Sequence, residues 1–461
     1  MGYLGDFVTR NPVKRFLVDH MSRYHRDIAF TYRQQKNLEY ATADRIEAFQ
    51  QDRLRKLLTA ARGSPYYRRI IDGLGKSPGS FRLDDLRQFP FLTKEILRSE
   101  EASLRVPGAE GAYENYSGGS TGIPIRFHQD YRYRVQMSVA TRRCNELAGA
   151  FTGARVAKLW GAPQDRRQIE GWGGKVKLWA LNMRYYDTFD MGPERMKLYH
   201  HQMEQFRPDL IQAYASSIFL LARYLREEGI RPGYPRVSII TAAEKLFPHM
   251  RQEIEEVFGV PVFDRYGSRE VSAMAAECAC HDGLHIQMPG YIMETIHPQT
   301  GRVVEEEPGE IAITALANYA MPFVRYRIGD MGTLTRKVCS CGRTLYRLRE
   351  IIGRTSDNFL MPDGRIVHGE YFTHLFYGRD GIRQFQFVQH SRQEFTLRIV
   401  PSVSYSGELA GRLESEIRGM IGAGPQLNIE IRQQIPKTAS GKYRFTVSHL
   451  STEEMLAGKP R

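Results

Sequence analysis

The segment YSGGSTGIP, residues 116–124, concentrates small residues that bear hydroxyl groups or no side chain. These are Ser117, Gly118, Gly119, Ser120, Thr121 and Gly122. Glycines let the backbone take positive φ and approach a ligand closely, so successive N–H and O–H groups could surround a phosphate. The segment lacks the G-x-x-x-x-G-K-[ST] pattern of a Walker loop. Taken alone, it is more typical of an ordinary turn or flexible loop.

Four of the five cysteines form two C-x-C pairs, in ECACHDGLH and in KVCSCGR. Thiolates and imidazoles bind zinc in a tetrahedron of four ligands, and paired cysteines in an intracellular chain favour a metal over disulfides. The other interpretation is reduced cysteines packed as small apolar residues, which is the one we prefer for Cys144. We predict a structural zinc site, with Cys280 and His281 as alternates, formed by Cys278, His285, Cys339 and Cys341.

Five further short motifs follow the glycine-rich segment in a fixed order. They are TAAEK at 241–245, DRYGSRE at 264–270, RYRIGD at 325–330, GRTSD at 353–357 and PKTASGKYR at 436–444. Each motif is weak by itself, but the ordered set resembles the adenylate-forming superfamily of acyl-CoA synthetases and ligases. Within it, the chain is most similar to the phenylacetate–CoA ligase-like family, including its capsule-biosynthesis relatives. The resemblance runs from about the glycine-rich segment to GKYR.

The resemblance implies a nucleotide site. The glycine-rich loop would hold the β- and γ-phosphates of ATP, Tyr266 would present a flat face to adenine, and Asp330 would accept hydrogen bonds from the ribose hydroxyls. The implied nucleotide-binding residues are Ser117, Gly118, Gly119, Ser120, Thr121, Gly122, Ala243, Glu244, Asp264, Tyr266, Gly267, Ser268, Asp330 and Arg354.

The resemblance also implies catalytic residues. Joining a carboxylate to ATP brings two anions together, so catalysis must neutralise charge and align the attack. Glu270 would hold Mg²⁺ against the phosphates, Arg354 would reach the ribose or phosphate, and Lys442 would bring a mobile cation to the α-phosphate. Asp357 would be the hinge about which the small domain rotates between half-reactions.

Each of these residues also has a structural interpretation. Tyr266 could be a core aromatic, Asp330 could pair with Arg325 or Arg327, and Lys442 could be a solvated surface lysine. If every structural interpretation were correct, five motifs would have to match the family pattern in the right order by chance. The joint pattern therefore favours the ligase.

Two positions depart from the family pattern, and the acyl pocket is the least defined part. Ile123 stands where a lysine often follows Thr-Gly, and Arg269 stands where many relatives have a small or neutral residue. Trp160 and Tyr214 are aromatic positions that could line the acyl pocket, although core packing is the preferred interpretation of Trp160 taken by itself. An aromatic acid is implied by the family and not by these residues.

Composition limits the class of protein. The chain has 461 residues, 42% of them hydrophobic, and a formal net charge of +13, which predicts two or three folded domains. It has neither a run of eighteen apolar residues nor the apolar core of a signal peptide, so we expect a cytoplasmic protein without membrane insertion. The arginines are scattered and no nucleic-acid motif is present, so a basic cleft for a nucleotide explains the charge.

The order of elements predicts an α/β fold. Residues 1–100 read as helical, and strands such as ARVAKLWG, RVSIITAAE and PVFDRYGSRE then alternate with helices, which is typical of parallel sheets flanked by helices. Shorter strands predict a β-rich subdomain at about 290–350. We expect an N-terminal adenylate-forming domain at 1–356 and a small, mobile α+β lid domain at 357–461. Ligands of such sheets bind at the carboxyl ends of the strands.

These observations lead to one main hypothesis and three alternatives. The main one is an ATP- and Mg²⁺-dependent ligase that forms an acyl–AMP from a carboxylic acid and passes the acyl group to coenzyme A. An amine acceptor, giving an amide, is the first alternative. A basic nucleic-acid-binding or scaffold protein and an inactive nucleotide-binding relative are the others. The sequence leaves the acid, the acceptor, the pathway and the oligomeric state, including a homodimer, open.

Overall fold

A computed structural model describes most of the chain. The described residues are 23–117, 125–151, 153–160, 181–188, 191–354, 358–363, 366–368, 381–436 and 444–450, with the single positions 171, 172, 174, 178, 179, 372, 375, 376 and 379. The chain divides into two compact units, Met1–Ile352 and Gly353–Arg461. Each unit is described by itself.

The first unit begins with short helices. They are α1 (Arg23–Lys36), α2 (Ala43–Ala61), α3 (Pro65–Gly73), α4 (Lys94–Ser99) and α5 (Glu101–Leu104), with 3₁₀ turns at Pro78–Ser80 and Leu83–Gln88. Helix α2 ends at Ala61. Its apolar face is buried at Leu54, Leu57 and Leu58, as the helical spacing of these residues predicts. The described part of the first hundred residues is thus mainly helical.

The later helices of this unit accompany a large sheet. These helices are α6 (Tyr131–Leu147), α7 (Pro193–Phe206), α8 (Ala215–Glu227) and α9 (Pro248–Phe258). The strands are β1 (Tyr113–Tyr116), β2 (Arg126–Gln129), β3 (Val156–Trp160), β4 (Met183–Asp187), β5 (Leu210–Tyr214), β6 (Ser238–Ala242), β7 (Val262–Ser268), β8 (Ser272–Glu277), β9 (Leu284–Ile286), β10 (Tyr291–Ile296), β11 (Val303–Val304), β12 (Pro308–Ala315), β13 (Tyr326–Thr335) and β14 (Arg347–Arg354). Strands β1 and β2 form a separate antiparallel hairpin.

Among the described residues the other twelve strands form one sheet, in the order β11-β10-β12-β13-β14-β9-β8-β7-β6-β5-β3-β4. Strands β4, β3, β5, β6 and β7 are parallel. Strands β5 and β6 are buried at every residue, which explains why they read as continuous apolar runs. The predicted α/β class is confirmed.

The shorter strands after residue 284 belong to this same sheet. Strand β7 pairs antiparallel with β8, and β8 pairs antiparallel with β9. The sheet therefore continues through β14, β13, β12 and β10 without a break. The segment that the sequence suggests as a β-rich subdomain is the antiparallel half of the large sheet, because the chain reverses at the end of β7.

The second unit combines a four-stranded sheet with one long helix. It contains β15 (Asn358–Leu360), β16 (Ile366–His368), β17 (Ile382–Ser391), β18 (Glu394–Pro401), α10 (Gly407–Ile421), β19 (Gln426–Ile431) and β20 (Thr446–Ser448). The sheet order is β19-β18-β17-β20. Stacked phenylalanines form its core, with ring centroids 3.9 Å apart for Phe376 and Phe385 and 4.3 Å apart for Phe372 and Phe387. The predicted small α+β unit is confirmed.

None of the described helices combines the length and the apolar character that a membrane span requires.

A buried ion pair ties strand β10 to the start of strand β13. Arg325 donates to both carboxylate oxygens of Glu294, with N–O distances of 3.0 and 3.1 Å, and also to the carbonyls of Arg87 and Phe89. Only 4% of Arg325 is exposed. Removing one partner of such a pair leaves an uncompensated buried charge, which is strongly destabilising.

We therefore expect Arg325→Met to lower the free energy of unfolding by about 3–5 kcal/mol. The measurement is urea denaturation followed by tryptophan fluorescence, because Trp160, Trp172 and Trp179 all lie in the first unit. The control is Arg302→Met at an exposed position, which should stay within about 0.5 kcal/mol of the wild type. Equal stability of the two variants would contradict the prediction.

Candidate functional site

The carboxyl ends of the parallel strands collect the predicted site motifs at one edge of the sheet. Trp160 ends β3, Tyr214 ends β5, Ala242 ends β6 and Ser268 ends β7. The rings of Trp160 and Tyr214 lie 4.3 Å apart between centroids. These two residues thus form one aromatic contact at this edge, while their role in an acyl pocket stays a prediction.

Tyr266 and Asp330 come from motifs 64 residues apart and meet in the structure. The Tyr266 hydroxyl donates to Asp330 Oδ2 over 2.7 Å. The two arginines that could have paired with this aspartate have other carboxylates, since Arg325 binds Glu294 and Arg327 binds Glu310. The bond holds the tyrosine ring and the carboxylate in fixed relation, as a paired adenine and ribose site requires.

The glycine-rich loop is closed at its base by two reciprocal hydrogen bonds. The Ser117 amide donates to the Ile125 carbonyl over 2.9 Å, and the Ile125 amide donates to Ser117 Oγ over 2.8 Å. The two ends of the loop are therefore adjacent, at the tip of the β1–β2 hairpin. The residues Gly118, Gly119, Ser120, Thr121 and Gly122 lie outside the described residues.

Glu270 is positioned through its backbone. Its carbonyl accepts from Gln129 Nε2 over 3.2 Å and from the Tyr133 hydroxyl over 3.1 Å. Gln129 ends strand β2 and Tyr133 lies in the first turn of α6. The segment that follows the glycine-rich loop therefore also holds the turn that contains Glu270. Sequence reasoning missed both residues, because their only signal is a position shortly after the glycine-rich loop.

The AAE segment after strand β6 has an unusual backbone and a capped carboxylate. Ala243 adopts φ +69°, which is uncommon for a residue with a side chain. Glu244 Oε2 accepts the Ser216 amide over 2.8 Å, and this amide is one of the unpaired donors in the first turn of α8. The Glu244 carboxylate thus stabilises a helix N-terminus, and the predicted nucleotide contacts of this segment stay predictions.

Three other predicted nucleotide residues shape strand β7 and the turn that follows it. Asp264 accepts from Thr241 Oγ1 over 3.1 Å, and burial, followed by the nearby Glu277, raises the pKa of Asp264 to about 7. A Cβ on Gly267 would lie 2.4 Å from the Ser272 carbonyl oxygen, so only glycine fits. Ser268 Oγ accepts the Val271 amide over 3.4 Å. Their contacts with a nucleotide stay predictions.

Lys442, a predicted catalytic residue, and Asp357, the predicted hinge, lie outside the described residues. Arg354 is described only as the last backbone position of β14. Their proposed roles therefore stay predictions.

The preferred zinc ligands converge in the first unit. The ligand atoms of Cys278, His285, Cys339 and Cys341 all lie within 4.8 Å of one another. The Cys278 and Cys339 sulfurs are 3.8 Å apart, which is about the separation of two thiolates on one tetrahedral zinc at 2.3 Å. The Cys341 sulfur lies 3.3 Å from His285 Nε2. Ordinary apolar packing of cysteines does not require three sulfurs and an imidazole nitrogen to lie this close together.

Sheet pairing brings these ligands together. Cys278 follows β8, His285 lies in β9 opposite Arg347 of β14, and the two other cysteines precede β14. Gly342 takes φ +82° next to Cys341, which lets the chain turn sharply. Burial, followed by neighbouring arginine charges, lowers the pKa of His285 to about 4, so the imidazole is neutral at pH 7 and can bind a metal.

The two alternate ligands, Cys280 and His281, are not in the four-residue cluster. Cys280 is exposed, and His281 Nδ1 lies 3.2 Å from Glu277 Oε2. Cys144 is buried in an apolar cluster at 1% exposure, which confirms its predicted place in the core.

We expect the purified protein to hold one zinc per chain, and Cys339→Ser to lose it, because three ligands bind structural zinc poorly. Zinc content is measured by mass spectrometry, and a chelator titration of the wild type should lower its melting temperature. Cys280→Ser is the matched control and should keep its zinc. A wild type without zinc, or equal zinc in both variants, would rule out this ligand set.

Comparisons with known proteins find two kinds of relatives, coenzyme A ligases and CapK. The family model described as the CapK C-terminal domain matches residues 359–449. A phenylacetate-coenzyme A ligase of Thermus thermophilus is 29% identical over 336 residues, 71% of this chain and 74% of that protein. Protein CapK of Staphylococcus aureus is 23% identical over 398 residues, 84% of this chain and 86% of that protein.

A solved structure shares the fold. It is a 2-hydroxyisobutyryl-CoA ligase in the postadenylation state in complex with R3-HIB-AMP, with a TM-score of 0.73, 21% identity, and 92% of this chain and 93% of that chain covered. Together with the ordered motifs, these comparisons confirm the resemblance found in the sequence: the chain is similar to phenylacetate–CoA ligases and to CapK, and it shares the fold of a coenzyme A ligase.

Proposed function

We propose that this chain is an ATP- and Mg²⁺-dependent, AMP-forming ligase that activates a carboxylic acid as acyl–AMP and transfers the acyl group to coenzyme A. The observation that carries the proposal is the hydrogen bond between Tyr266 and Asp330. It joins two motifs whose side chains would otherwise be an ordinary core aromatic and a surface carboxylate. Relatives named as coenzyme A ligases support the same activity.

The nucleotide would bind at the carboxyl edge of the parallel strands. Tyr266, 8% exposed, would stack on adenine while Asp330 accepts hydrogen bonds from the ribose. The backbone at Ala243, with its positive φ, would pass close to the base. These groups are held before ATP arrives, so little ordering is needed on binding.

Charge neutralisation would be the main catalytic effect. The glycine-rich loop, closed by Ser117 and Ile125, would donate N–H groups to the β- and γ-phosphates. Glu270 would hold Mg²⁺, which would supply positive charge at the phosphates. Arg354 and Lys442 would place positive charge where negative charge develops, Arg354 at the ribose side and Lys442 at the α-phosphate. Zinc would be structural, since all four ligands come from the protein.

The acid and the acceptor are the less constrained parts of the proposal. The family favours an aromatic acid, and the Trp160–Tyr214 contact offers an aromatic surface beside the strand ends. An amine acceptor, giving an amide, is the second candidate. It is kept because the family model that the second unit matches is that of CapK, whose name specifies no acceptor.

The activity is tested by acid-dependent exchange of pyrophosphate into ATP over aryl, hydroxyaryl and aliphatic acids. We expect exchange with a subset of acids, and Lys442→Ala should slow it roughly a hundredfold or more, as loss of a group that stabilises developing charge does. Product formation with coenzyme A and with amines then identifies the acceptor. Absence of exchange with every acid would overturn the proposal.

The Tyr266–Asp330 bond is tested by Tyr266→Phe. Loss of a hydrogen bond to a charged group should raise the KM for ATP roughly tenfold to a hundredfold, because Asp330 is no longer held toward the ribose. The KM for the acid should change little. Exchange kinetics at varied ATP provide the measurement.

A matched control is Tyr224→Phe. Tyr224 is also 8% exposed, and among the described residues its hydroxyl makes no hydrogen bond. Its KM for ATP should equal that of the wild type. An unchanged KM in Tyr266→Phe would show that the bond does not orient the nucleotide site.

A further inference from the structure

Arg265 lies on β7 immediately before Tyr266, so its side chain lies on the opposite face of the sheet. Its strand neighbours are Ala242 of β6 and Ala276 of β8. The face it occupies is covered by α6, since its charge acts on the buried Cys144 thiol of that helix. Arg265 is thus placed between the sheet and α6, at the level where β6 ends.

In the part of the chain that the structure describes, no side chain or carbonyl forms an ion pair or hydrogen bond with the Arg265 guanidinium. The residue is only partly exposed, and burial lowers the pKa of the guanidinium. A guanidinium remains charged at any physiological pH. This cation is therefore partly removed from water, and the carboxylate that acts on it, Asp264, forms no ion pair with it among the described residues.

Four enclosed arginines of the same unit each have a carboxylate within ion-pair distance: Arg143 with Glu39, Arg251 with Glu277, Arg325 with Glu294 and Arg347 with Asp282. Three others have neutral partners: Arg53 and Arg155 donate to amide or carbonyl oxygens, and Arg142 lies over the Tyr32 ring. Leaving a buried charge unpaired is costly, and this chain avoids it at those sites. The contrast indicates that the partner of Arg265 is a bound molecule.

The surroundings of Arg265 fit an acyl chain. On the same face, β5 places Tyr214 opposite Ala242, and Tyr214 contacts the ring of Trp160. Gln212, two residues earlier, donates to Asn145 of α6 over 2.7 Å, so α6 borders this space. Both strand neighbours of Arg265, Ala242 and Ala276, have small side chains.

The geometry also connects Arg265 to the reacting centre. It is adjacent in the chain to Tyr266, the proposed adenine platform, but faces away from it. An acyl group attached to the nucleotide at this edge could therefore extend along the face that bears Arg265.

We propose that Arg265 is a specificity residue that binds a second anionic group on the acid substrate, at the end remote from the carboxylate that is activated. The acid would then be a dicarboxylic acid or an acid with a comparable acidic substituent. This inference rests on the proposed function. The guanidinium fork binds a carboxylate through two hydrogen bonds, whereas a neutral acid would leave it unpaired, which gives strong discrimination.

The test uses stable acyl-adenylate analogues, in which a sulfamoyl group replaces the phosphate. The probes are N-acyl sulfamoyladenosines of terephthalic acid and its monoamide, and of adipic acid and its monoamide, which differ only in the terminal group. Calorimetry with the wild type should show tighter binding of at least one carboxylate probe, by tenfold or more over its amide. Arg265→Met should remove this preference without weakening the amide probe.

Arg302→Met, at an exposed position, is the matched control and should keep the preference. Equal binding of the carboxylate and amide probes by the wild type would overturn the inference while leaving the proposed function intact. The same holds for an unchanged preference in Arg265→Met. Failure of all four probes to bind, with no acid-dependent exchange, would overturn the proposed function, and the inference with it.

Discussion

The close contact between strands β7 and β8 is the constraint on which the rest of the first unit depends. At Gly267 a Cβ would lie 2.4 Å from the Ser272 carbonyl oxygen, so the chain can reverse there only with glycine. This reversal converts the parallel half of the sheet into the antiparallel half. It also leaves Tyr266 and Glu270 at the strand ends, where the chemistry is proposed.

The antiparallel half has a second fixed point at the cysteine–histidine cluster. Its ligands come from the β8–β9 hairpin and from the connection into β14. The same connection reaches the N-terminal helices, because the Thr344 amide donates to the Glu39 carbonyl over 3.0 Å. Glu39 in turn pairs with Arg143 of α6. A metal here would therefore stabilise the packing of α6 on the sheet, and with it the wall of the proposed acyl space.

Most of the enclosed charges discussed above have a partner within the first unit. Four of the enclosed arginines named above meet carboxylates, and the Glu244 carboxylate meets a helix N-terminus, so most of these charges are compensated within the protein. Arg265 differs from its counterparts, and it does so next to the proposed nucleotide platform. If an anionic group of the substrate compensates the Arg265 charge, binding of the acid completes the charge pairing of the first unit.

Local patterns in the sequence determined many of the elements, and the resemblance carried by the ordered motifs supplied most of the candidate residues. Apolar runs marked β3, β6 and β7, and glycine, hydroxyl and cysteine spacing marked the candidate phosphate loop and the four candidate metal ligands, because these signals depend on neighbours along the chain. Only the tertiary structure decided that the short strands extend one sheet, that Tyr266 binds Asp330, and that Gln129 and Tyr133 hold the Glu270 loop. It also decided that Arg265 has no ion pair or side-chain hydrogen bond with any described residue. Those facts depend on contacts between residues distant in sequence, which strand order and register create.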